Sequence, residues 1–163
     1  MNGRKRATLS KPLLVAVFRR DGWLCRWCEK PVIFAPVMRV LELELKTSGT
    51  NTGPVAYYHS HWTRAGAPLI DLLGAEVDHV EAHSAGGRDH IDNFATVCHK
   101  CNLRKGAGTH DQFLKRPREK PVKGKYGEPQ SWDGLSSVFI MLAQRHRAAL
   151  TAGEKGWLAS LGS

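Results

Sequence analysis

The sequence predicts an α+β domain: a small strand–loop–strand–helix core with a four-cysteine zinc site, flanked by N- and C-terminal helices. Three observations carry that expectation. Every cysteine falls in one of two C-x-x-C pairs, Cys25/Cys28 and Cys98/Cys101. Two short strand-like runs, Ala75–Val80 and Phe94–Cys98, bracket a Gly-rich loop that contains Gly86-Gly87. Apolar residues recur at helical spacing toward both ends of the chain. At 163 residues the chain suits one domain with a modest core, a size at which a structural metal is useful.

The elements follow in order. Residues 1–9 form a basic flexible arm. Ser10 is placed to cap a helix over Lys11–Arg20, whose Leu13, Leu14, Val17 and Phe18 share a face. Asp21-Gly22 ends it, and a tight knuckle at Cys25–Cys28 follows. Residues 36–46 fit two periods. Leu41-Glu42-Leu43-Glu44-Leu45 alternates like a strand, while Met38, Leu41 and Leu45 fit a helix face, and Pro36 near the start tilts the balance to helix. Thr47–Pro54 is a loop, Val55–Trp62 is strand-like, and Leu69–Leu73 is a short apolar segment of open type.

Ala75–Val80 and Phe94–Cys98 are then paired strands, and a helix begins near Cys101. Gly106 and Gly108 interrupt it, and Thr109-His110-Asp111-Gln112 is a capping box for a second short helix. Leu135, Val138, Phe139 and Leu142 mark an amphipathic helix. Thr151-Ala152-Gly153-Glu154 caps a last one carrying Trp157, Leu158 and Leu161. The expected organisation is therefore an arm at 1–9, a core domain at 10–114, a basic linker at 115–130 and a helical extension at 131–163.

Net charge is +9 and the pI about 9.7, which favours an anionic partner. Arg104, Lys105, Lys115, Arg116, Arg118, Lys120, Lys123 and Lys125 face only Asp111 and Glu119 in that span. Taken alone the run suits a solvated linker as well as a phosphate-binding surface. No apolar run approaches the roughly 18 residues of a membrane span. Arg4-Lys5-Arg6 and the brief run Leu13–Phe18 lack the cleavage site of a secretory signal, so the expected compartment is the cytoplasm.

In a reducing compartment, paired cysteines bind metal or do redox chemistry. Redox chemistry of the thioredoxin type wants one C-x-x-C between strand and helix, whereas here two pairs occur and the first follows a helix. Cys25, Cys28, Cys98 and Cys101 thus suit a tetrahedral Zn²⁺, which four thiolates close to water and make structural. The long insertion between the pairs is tolerable, because loop closure costs only about 0.6 kcal/mol per doubling of length.

The segment between those ligands offers a second metal chemistry. Asp78 supplies carboxylate oxygens at a strand end and Asn102 an amide oxygen beside a zinc ligand, a pair that suits Mg²⁺ or Mn²⁺. At the strand end the chain can turn Asp78 and His79 toward one cleft. His79 is then the group to accept a proton from an attacking water.

Arg20-Asp21-Gly22 leading into Cys25-x-x-Cys28, then Asp78-His79, Gly86-Gly87, Asn93 and Cys98-x-x-Cys101-Asn102-x-x-Lys105-Gly106, resembles the zinc-containing HNH endonucleases over about Lys11–Gly106. The resemblance implies a ββα-metal core and a nicking or cleaving activity on DNA, with RNA left open. It implies that Asp78 and Asn102 hold the catalytic divalent metal and that His79 is the general base. It also implies that Asn93 shapes the long loop and orients His79 through its backbone. The third letter of the family name is asparagine here, and Ala82 stands where a proline is common.

His83 suits either a scissile-phosphate contact or solvent. Arg104, Lys105, Lys115, Arg116 and Arg118 are the candidate phosphate contacts. His99 is expected to be structural or exposed. His59 and His61 lack a third ligand, and the five tryptophans suit packing. The alternative function is a zinc-dependent nucleic-acid-binding module without catalysis. A third reading makes the C-terminal helices a protein docking unit.

Overall fold

In a computed structural model of the chain, residues 8–50, 72–82, 85–106 and 132–163 are described. Helix α1 (Lys11–Arg20) buries Val15, Val17 and Phe18. Ser10 stands at its N-cap, but its hydroxyl makes no capping bond. Pro12 in the first turn, where no N–H is needed, supports the start instead. The ambiguous run is helical: α2 (Val37–Thr47) begins after Pro36 and buries Val37, Met38 and Val40. That stripe, one turn earlier than the leucines, decides between the two periods.

Strands β1 (Ala75–His79) and β2 (Phe94–Cys98) form an antiparallel pair, with Ala75 opposite Cys98 and His79 opposite Phe94. Helix α3 (His99–Lys105) starts directly at the end of β2, two residues before the expected position. Cys98 takes the N-cap role, its Sγ accepting from the Cys101 N–H at 3.4 Å. Gly106, at φ 54°, ends the helix in a backbone region that glycine enters without a Cβ penalty.

Helix α4 (Ser136–Arg145) follows Asp133, whose carboxylate accepts from the N–H groups of Leu135 and Ser137 at 3.0 Å each. Helix α5 (Ala152–Leu161) opens with the expected capping box: Glu154 N–H donates to Thr151 Oγ1, and Thr151 N–H donates to Glu154 Oε2. These two helices share one core with α1 and α2. Phe34 sits at its centre, meeting Phe139 and Trp157 edge-on at ring separations of 5.1 and 5.2 Å. Trp23 closes another side at 6.1 Å and leaves no room for a side chain at Gly134, where a Cβ would stand 2.2 Å from its ring. Trp23, Trp27, Trp132 and Trp157 all belong to this packing.

The hairpin meets that core through Ala75, Val77 and Val97. Arg20 and Asp21, at the end of α1, hold β2 from the side. The Arg20 guanidinium donates to the carbonyls of Ile91 and Phe94, and Asp21 Oδ2 accepts from the Thr96 N–H at 2.7 Å. Burial raises the Asp21 pKa, but the Arg20 and Thr96 bonds outweigh it and hold the carboxyl below its usual range. No helix among the described residues is long and apolar enough to cross a membrane. The expected strand at Val55–Trp62 with His59 and His61, the capping box at Thr109, and most of the basic linker lie outside the described residues.

Candidate active site

The two C-x-x-C pairs converge. The knuckle is folded by Cys25 N–H donating to the Lys30 carbonyl and Glu29 N–H to the Cys25 carbonyl, and Arg26 N–H ties it to β2 at Thr96. Its other half is the β2–α3 junction. All four ligand atoms lie within 4.8 Å of one another, and none of the cysteines is in a disulfide. Around Zn²⁺, thiolates at about 2.3 Å in a tetrahedron stand about 3.8 Å apart. Cys28 Sγ and Cys98 Sγ are separated by 3.8 Å. The cluster therefore fits a structural zinc ion. Crowding splits the thiols: bonds from Cys101, Cys28 and Cys98 hold Cys25 far below the ordinary thiol range, while Cys25, Cys28 and Cys98 push Cys101 far above it. A dication removes that conflict by displacing the protons.

Beyond the cluster, α3 lays one stripe against one face of β1. Residues three apart on a helix are neighbours, and residues two apart on a strand share a face. His99, Asn102 and Lys105 accordingly meet Glu76 and Asp78. His99 Nδ1 and Glu76 Oε1 are 2.8 Å apart, and Asn102 Nδ2 donates to Glu76 Oε2 at 2.5 Å. Lys105 Nζ donates to Asp78 Oδ2 at 2.5 Å and to the His79 carbonyl at 2.9 Å. Lys105 is only 3% exposed. This corrects the expectation that it contacts phosphate from the surface: its ammonium is turned inward as the partner of Asp78. Arg104, on the opposite side of α3, is exposed. His99 is buried, as a structural residue should be.

His79 is the last residue of β1 and alternates away from Asp78 toward Phe94. The imidazole packs edge-on against Phe94 at 4.9 Å, and its Nε2 meets Asp89 Oδ1 at 2.7 Å. A carboxylate only accepts, so Nε2 carries the proton in the neutral ring and Nδ1 is the basic nitrogen. Asp89 was not legible as a site residue, because its loop has no period to fix which side chain returns to the strand.

Asn93 holds that loop. Its Oδ1 accepts from Glu81 N–H at 2.8 Å, and its Nδ2 donates to the carbonyls of Glu81 and Arg88 at 3.1 and 3.0 Å. Its own carbonyl accepts from Val80 N–H, next to His79. Gly87 is required here, since a Cβ would come within 2.0 Å of the Glu81 carbonyl oxygen. His83, Lys115, Arg116 and Arg118 lie outside the described residues.

Residues 69–108 match the family model of the HNH endonucleases. The chain carries an HNH domain. The matched segment contains β1, the loop, β2 and α3, and with them Asp78, His79, Asn93, Asn102 and one of the two cysteine pairs. Cys25 and Cys28 fall outside the match and complete the cluster from the N-terminal side. No curated protein and no solved structure matches the chain. The HNH match supports a nuclease-family, nucleic-acid-related function.

Proposed function

We propose that the protein is an active, metal-dependent endonuclease that hydrolyses phosphodiester bonds of DNA in the cytoplasm. The observation that carries this reading is the Asp89–His79 pair at the end of the strand that bears Asp78. A strand-end histidine whose tautomer is set by a carboxylate suits proton transfer.

Asp78 and Asn102 are the residues that would hold the catalytic ion. Lys105 engages Oδ2 of Asp78, which leaves Oδ1 as a donor, and Glu76 engages the Asn102 nitrogen, which leaves the amide oxygen. Two hard oxygens suit Mg²⁺ or Mn²⁺. When bound, such an ion supplies positive charge to the phosphate and to the departing 3′ oxygen. His79 Nδ1 takes the proton of the attacking water, and Asp89 keeps the ring in the required tautomer and stabilises the imidazolium that forms. Asn93 and Gly87 keep the loop that carries Asp89 in place. Arg104, with His83, Lys115, Arg116 and Arg118, supplies phosphate contacts, and a net charge of +9 draws the polyanion in.

The test is incubation of plasmid and single-stranded DNA with Mg²⁺, Mn²⁺ or Ni²⁺, with and without EDTA, followed by end mapping. Cleavage leaving 5′-phosphate and 3′-hydroxyl ends is expected. His79→Ala should lower the rate by about 10²–10⁴-fold with DNA binding kept. DNA binding without metal-dependent cleavage by the wild-type chain would instead establish the binding-module reading.

A further inference from the structure

We propose that Glu76 is a positioning residue for the divalent-cation site, fixing the Asn102 side chain so that its oxygen, and not its nitrogen, is presented to the ion. The inference rests on the reading of Asp78 and Asn102 as cation ligands given above. Glu76 stands two residues before Asp78, so both carboxylates leave β1 on the face that α3 covers. Its two oxygens take separate partners on α3, His99 through Oε1 at 2.8 Å and Asn102 through Oε2 at 2.5 Å.

A primary amide has two ends of nearly the same shape and opposite chemistry. Only the oxygen can coordinate a cation, and the NH₂ group opposes one. Sterics alone leave both orientations open to Asn102. Glu76 removes that ambiguity, because a carboxylate has no proton to give and therefore accepts only the NH₂ end. The bond to His99 holds the carboxylate in turn, so the orientation is set by a chain of three groups anchored at the first residue of α3. Outer partners of this kind are commonly worth about 10–100-fold in metal affinity.

The experiment measures Mn²⁺ binding to the zinc-loaded, full-length protein from the loss of the free-ion electron paramagnetic resonance signal. Mg²⁺ titrations of cleavage, zinc content and thermal unfolding accompany it. Glu76→Ala should raise the Mn²⁺ dissociation constant by about 10–100-fold, with zinc content kept and the rate recovered at saturating metal. Glu76→Gln should bind between wild type and Glu76→Ala, since its NH₂ can also donate to the Asn102 oxygen and the orientation of that amide is then no longer fixed.

The deciding comparison is Asn102→Asp against the combined Glu76→Gln, Asn102→Asp variant. Asn102→Asp alone sets two carboxylates against each other where one bond stood. In the combined variant the bond is restored with its polarity reversed, and net charge equals that of wild type. The combined variant should therefore bind Mn²⁺ more tightly than Asn102→Asp, although it has one negative charge fewer. Charge alone demands the reverse order, and finding that order would overturn the proposal. Unchanged Mn²⁺ binding in Glu76→Ala, with binding lost in Asp78→Ala, would overturn the role of Glu76 and leave the cation site standing. Unchanged binding in Asp78→Ala would remove the site itself.

Discussion

Two interiors coexist in this chain, and they are built on opposite terms. Around Phe34 the contacts are rings and aliphatic side chains from α1, α2, α4 and α5, with Val37, Val40 and Phe139 fully covered. Between β1 and α3 the buried Lys105 and His99 meet the half-buried Asn102, Glu76 and Asp78 through ion pairs and hydrogen bonds. Burying charge is costly, and replacing a buried ion pair with apolar side chains often leaves a protein no less stable. The first interior makes the fold, and the second is carried by it.

That contrast can be broken at graded cost. Cys98→Ser removes a thiolate from the cluster that joins the two interiors. Loss of zinc on metal analysis and loss of cooperative unfolding are expected, because a structural metal's binding energy is folding energy. Phe139→Ala strikes the apolar interior alone. It should cost about 3–5 kcal/mol in denaturant unfolding, while the cleavage rate per folded molecule stays unchanged.

Lys105→Met strikes the polar interior alone, leaving Asp78 without its cation. A loss of about 3 kcal/mol is expected, the lower end for an orphaned buried charge, since the Asp78 side chain keeps 13% of its exposure. Mutating both Lys105 and Asp78 to apolar residues should recover most of that stability and none of the activity, which would sharpen the distinction between the two interiors.

The smallest effect concerns Asp21, which ties α1 to β2. Its folded pKa lies below the ordinary value, so its contribution is full above the unfolded pKa near 3.9 and is lost as pH falls through the folded value. Asp21→Asn should flatten the stability loss below about pH 4 and cost about 1 kcal/mol at neutral pH. Unfolding curves across that range are the check.

How much of this was legible follows the same division. The apolar stripes of α1 and α4, the two short strands and the Thr151 box were visible, because each is a local pattern or a local bond. The start of α3 at His99 was hidden, since Cys98 acts as its cap and cysteine is not a usual capping signal. The cysteine cluster was legible from donor chemistry and order along the chain, and the proposal for Asp78 and Asn102 rests on the same ground. Glu76 could have been found from its two-residue spacing to Asp78. Asp89 and the inward turn of Lys105 could not, for they depend on how an aperiodic loop closes and on which side of α3 meets the strand.

The separation of the two C-x-x-C pairs also bears on how the chain reaches this structure. Either pair alone offers a zinc ion two sulfurs, so a half-folded chain is a weak competitor for metal. Full affinity arises only when the knuckle after α1 has docked on the end of β2, a contact between Cys28 and Cys98 that spans 70 residues. Contacts of such sequence separation form late and slowly. Binding zinc through all four thiolates therefore requires that the N-terminal helix and the hairpin have met, and Asn102 stands one residue beyond Cys101 in that junction.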